Sequence, residues 1–195
     1  MQPPAETSDS EHRSSVFSAD DVQAILERRG WLANPSSAAP GAVPADSATE
    51  SARATWLADA ARLLGAQAAD VAALEALLEQ VFHYNARENL ARVENQAVMA
   101  REAARQVLRE LASLVLDSAA IDSDRYKEIV TALKERTGRR GQQLFHPVRL
   151  ALAGRAGEGE HDRVILLLDS AAKLAWNAPV KSCRQRLIEF CGAMD

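Results

Sequence analysis

A chain of 195 residues can fold one ordinary core with a tail, and 47% hydrophobic against 26% charged residues is a globular balance that excludes wholesale disorder. Aromatics at 5% and frequent alanine disfavour β-sandwiches, so the expected fold class is all-α, a helical bundle. The net charge of −4 excludes coating nucleic acid by charge alone, yet it hides an asymmetry: residues 134–195 carry 11 Lys and Arg against 7 Asp and Glu, so any anionic partner is expected at the C-terminal end.

Residues 1–15 are polar and without periodicity, so a disordered tail is expected over 1–17. A short helix is predicted over 18–32. Ser18 can cap it, Asp20 and Asp21 suit its first turn, Val22, Ile25 and Leu26 give it an apolar face, and Gly30 can end it. Trp31 and Leu32 are expected to dock this helix onto the rest. Residues 33–50 hold Pro35, Pro40 and Pro44 among small residues, with Val43 alone of any apolar size, and read as a linker.

A helical bundle part is expected over 51–120. Ala54, Leu57, Ala61 and Leu64 recur three and four residues apart until Gly65, and Val71, Leu74, Leu77, Leu78 and Val81 repeat the pattern from Asp70 to about Phe82. From Arg87 to Leu116 the positions Leu90, Val93, Ala97, Ala100, Ala104, Val107, Leu111 and Leu114 predict one long helix with a single apolar seam. Such a seam suits the backbone of a bundle or a homotypic coiled-coil interface.

The C-terminal part, 121–195, opens with Asp122 or Ser123 capping a helix that carries Tyr126, Ile129, Val130 and Leu133 and stops at Thr137-Gly138. A basic, glycine-flanked turn, Gly138-Arg139-Arg140-Gly141, leads into a helix expected to begin near Pro147 and to close at Gly154. Further helices are predicted from His161 to Leu168 and from Pro179 onward. Cys183 and Cys191 stand about two turns apart on the last, about 12 Å, too far for a disulfide within one helix.

The chain carries no phosphate-binding glycine loop, no H-E-x-x-H and no G-x-S-x-G elbow. His12, His83, His146 and His161 lack metal-ligand spacing, so no metal, cofactor or catalytic residue is expected. Glu158 and Glu160 lie in a glycine loop that reads as solvated. No basic leader precedes an apolar run at the N-terminus and no segment is apolar enough to span a bilayer, so a cytoplasmic protein is expected. Arg139, Arg140, Arg149 and Arg155 form the one cluster that suits a polyanion, since guanidinium forks bind phosphates and base edges.

The run from Leu133 to Leu168 resembles the C-terminal signature of bacterial glutamyl-tRNA synthetases, in which a basic glycine turn leads to L-F-x-P-[LV]-R-x-A-L-T-G, a loop and a further helix. Gly138, Gly141, Leu144, Phe145, Pro147, Arg149, Ala151, Leu152 and Gly154 match at that family's spacing. The resemblance implies an anticodon-binding helical module with tRNA as partner. It assigns a base contact to Arg149, positioned by Pro147, and further RNA contacts to the following loop, where Glu158, Gly159 and His161 stand. Ala153 replaces the family's threonine, and Glu158 brings negative charge to that loop. The family's catalytic motifs, an H-I-G-H-like turn and a K-M-S-K-S-like loop, do not occur, so no aminoacylation by this chain is expected. The alternatives are a protein-interaction scaffold acting through helix 87–116 or helix 18–32, and a subunit working with a separate synthetase catalytic domain.

Overall fold

The computed structural model describes residues 17–32, 47–116 and 120–194. Among these residues it is all-α, with ten helices in chain order: α1 (Ala19–Arg28), α2 (Ser47–Gly65), α3 (Val71–Phe82), α4 (Ala86–Ala91), α5 (Val93–Met99), α6 (Glu102–Leu116), α7 (Ser123–Thr137), α8 (Gln142–Ala153), α9 (Glu160–Ala171) and α10 (Cys183–Met194). The expected tail lies outside the described residues except for Phe17, whose ring packs against Gly65.

Local chemistry starts α1 where the sequence places it. The Ser18 N–H donates to Asp21 Oδ2 (2.8 Å) and the Asp21 N–H donates back to Ser18 Oγ (3.2 Å), a reciprocal cap. Gly30 takes φ of 67°, a left-handed conformation that frees the chain to turn sharply into Trp31. The Trp31 ring then stacks on Phe82 at 4.8 Å, with Trp176 edge-on to Phe82 at 5.2 Å and Trp56 edge-on to Trp176 at 5.0 Å. Asn177 completes the clasp, its side-chain amide donating to the Gly30 and Leu32 carbonyls and its N–H to that of Trp31. Arg28 and Arg29 both pair with Glu75 of α3.

Several boundaries differ from the sequence reading. Helix α2 starts at Ser47, so the expected linker loses its last four residues to the helix, and 33–46 lie outside the described residues. The single helix expected over 87–116 is three. The Asn95 side chain donates to the Asn89 carbonyl at 2.8 Å, taking the acceptor that a continuous helix would offer to the Val93 N–H, and Arg92 turns extended at ψ of 133°. A second break falls at Ala100 and Arg101. The seam is therefore buried only at Ala104, Val107 and Leu111, while Val93 is 79% exposed.

Helix α8 begins five residues before Pro147, leaving the proline inside it. Gly141 nucleates its first turn by accepting from the Leu144 and Phe145 N–H groups. Helix α10 begins at Cys183 rather than at Pro179, because Ser182 and Gln185 exchange hydrogen bonds across the first turn (2.8 and 3.3 Å) and Asp169 accepts from the Cys183 N–H at 2.7 Å.

Packing is centred on α8 and α9. Helix α6 lies along α7 and α8, α2 and α3 cover α9, and α10 crosses α4 and α8. Arg186 of α10 is fully buried and donates to the Gln80 and Val81 carbonyls at the end of α3, to Leu152 near the end of α8, and to Lys181. The Gln80, Val81 and Leu152 carbonyls lie at the negative ends of two helix dipoles, which offset the buried positive charge. Burial still lowers its pKa to about 10.

Candidate nucleic-acid interface

Helices α8 and α9 form a hairpin whose corner, residues 154–159, is built to one shape. Gly154 ends α8 at φ of 81°, and an added Cβ would stand 2.6 Å from Asn89 Nδ2. Only glycine meets both demands. Beyond it Arg155, Gly157, Glu158 and Gly159 are exposed, and the chain re-enters the core at His161, the second residue of α9.

Arg149 holds this corner from within. Its Nε and Nη2 donate to the two carboxylate oxygens of Asp162, each at 2.8 Å, and its Nη1 donates to the Gly157 carbonyl at 2.7 Å. The guanidinium also lies over the Phe145 ring at 5.0 Å. The residue is 8% exposed. Burial works against its charge, but the paired Asp162 carboxylate outweighs it and raises the pKa above the usual arginine value. The same carboxylate accepts from the Tyr126 hydroxyl at 2.7 Å, tying α7 to the hairpin.

Against the corner, α5 and Arg101, just before α6, border a recess of about 400 Å³ lined by Asn95, Arg101, His146, Arg155, Glu158 and His161 among others. Both histidines have lowered pKa values. Burial is the main cause for each, with Arg149 and Arg101 adding to it at His146 and Arg149 and Arg155 at His161, against opposing carboxylates. Near neutral pH the positive charge of the recess therefore resides on Arg101 and Arg155. Glu94 and Glu158 stand at the rim.

The residues singled out in the sequence divide into three groups. Arg155, Glu158 and His161 line the recess together. Arg149 and Pro147 are buried in α8, behind it. Arg139 and Arg140 lie on the turn between α7 and α8; Arg140 is exposed, while Arg139 is half-buried, its N–H donating to Thr137 Oγ1. Gly159 precedes the first turn of α9 and adds no side chain. Sequence reasoning missed Asn95 and Arg101, which lie in the stretch expected as one helix, and His146, considered there only as a metal ligand.

A model of the anticodon binding domain family matches residues 26–168. Over 76 residues the chain is 41% identical to the glutamate–tRNA ligase 2 of Syntrophus aciditrophicus (strain SB), a stretch that makes up 38% of this chain and 16% of that ligase. The chain thus matches about a sixth of that relative's length. No solved structure matches. Among the described residues no helix is long and apolar enough to cross a membrane.

Proposed function

Because the chain belongs to the anticodon binding domain family, we propose that it binds tRNA through the α8–α9 corner. The observation that carries this reading is the recess, which places two exposed cations beside polar ring and amide groups on a rigid corner, a combination suited to unstacked bases and their phosphates. Arg155 and Arg101 are the leading phosphate or base contacts, with Arg139 and Arg140 contributing from the neighbouring turn. Arg149, already engaged with Asp162 and Gly157, acts as a positioning residue for the corner rather than as the first group to meet RNA. His161, Gly159 and Pro147 shape the site, and Glu158 selects against closely approaching phosphates.

The proposed activity is binding without ligation, since neither nucleotide-binding motif of the synthetases occurs in these residues. A cytoplasmic setting follows from that role. Action beside a separate synthetase catalytic domain is compatible with it.

Titration with unfractionated tRNA over a salt series tests the reading. Log affinity is expected to fall linearly with log salt, and Arg155→Gln is expected to weaken binding. No binding of the wild-type protein even at low salt would overturn it.

A further inference from the structure

Arg101, Arg105 and Arg109 stand four residues apart at the head of α6 and along it, a spacing that aligns them on one face. All are exposed, and among the described residues none forms an ion pair. The nearby Glu110 is occupied by Arg136 of α7 at 3.4 Å. Arg105 and Arg109 both lie within α6, where like charges at this spacing weaken a helix, so this pair works against the fold and in favour of an external anion. The row also joins two concavities. Arg101 lines the recess at the α8–α9 corner, whereas Arg105 and Arg109 edge a groove of about 590 Å³ floored by the partly buried Leu90, Met99 and Ala112.

We propose that this arginine row is a second RNA contact, a track that carries the sugar-phosphate backbone of a single-stranded segment out of the corner recess and along α6, with a ribose or base edge resting on the apolar floor. The proposal rests on the tRNA-binding reading and extends its surface. Single-stranded nucleic acid is held in this way, by cations that follow the phosphates beside apolar surface that covers the sugars and bases. The continuity from Arg101 to Arg109 selects RNA over an acidic protein segment, because the row begins inside the recess assigned to RNA.

The test compares three double variants in tRNA binding across a salt series: Arg105→Gln with Arg109→Gln, Arg139→Gln with Arg140→Gln, and Arg163→Gln with Lys173→Gln. The last pair is exposed beside a different recess and removes the same net charge. Loss of the row is expected to weaken binding several-fold and to reduce the salt slope by about 1.4, two contacts at about 0.7 each for a single strand. The Arg163 and Lys173 pair should change little. If the row variant matches that control while Arg139→Gln with Arg140→Gln weakens binding, the row is not an RNA track, its groove is left to a protein partner, and the anticodon-binding reading stands. If wild-type protein binds no tRNA, both readings fall.

Discussion

Arg149 of α8 and Asp162 of α9 meet in a two-pronged ion pair, both bonds 2.8 Å long, at the root of the hairpin that carries the exposed corner. The arginine that a family signature marks for RNA is thus half of an internal brace. Removing one partner of a buried pair leaves the other charge stranded, which costs about 3 kcal/mol, whereas replacing both with apolar groups of similar size costs less. Asp162→Ala should therefore lower the urea midpoint of unfolding more than Arg149→Met combined with Asp162→Leu. A double variant no more stable than the single would show that the charge pairing is not what braces the hairpin.

Gly154 offers a sharper test of the corner. Alanine there must adopt φ of 81° and push against the Asn89 side chain. The left-handed conformation alone costs about 1–2 kcal/mol. Gly154→Ala should lower stability by at least that amount in equilibrium unfolding and should weaken tRNA binding beyond the loss of folded protein. Unchanged binding at full folding would mean that the corner's shape is not read.

Much of the fold was legible from residue order. The caps at Ser18 and Asp122 are local chemistry, in which a side chain satisfies a backbone group within a few positions, and the stop at Gly138 is a glycine in the left-handed conformation. The breaks after Ala91 and Met99 were not legible, because spacing of apolar residues cannot reveal that the Asn95 amide captures the Asn89 carbonyl. The same limit hid part of the recess. Arg155, Glu158 and His161 stood in a recognisable loop, whereas Arg101 and His146 enter through packing of distant elements. The buried state of Arg149 depended on Asp162, thirteen residues away and indistinguishable in sequence from a surface carboxylate.

Arg186 is expected to resist conservative replacement. Lysine keeps the charge but offers one nitrogen, whereas the guanidinium spans carbonyls at the ends of α3 and α8 and at Lys181. Arg186→Lys should destabilise by about 2 kcal/mol through carbonyls left without donors, and Arg186→Leu by about 3 kcal/mol. Thermal unfolding distinguishes this from a role as mere filler, for which leucine would be the milder change.

Acid sensitivity should follow from His161. Burial lowers its pKa in the folded protein, with Arg149 and Arg155 adding to the effect against Glu160 and Asp162. The unfolded chain therefore takes up a proton near the ordinary histidine value of about 6.5 while the folded protein resists until lower pH. Above that value the histidine is neutral in both states and costs no stability; as the pH falls below it, the unfolded state gains protons first and stability declines. His146 contributes in the same direction, its pKa also lowered chiefly by burial. Urea midpoints of the wild-type protein should drop between pH 7.5 and 5.5, and His161→Leu should show a shallower drop across that window. An equal drop in the variant would place the acid sensitivity elsewhere.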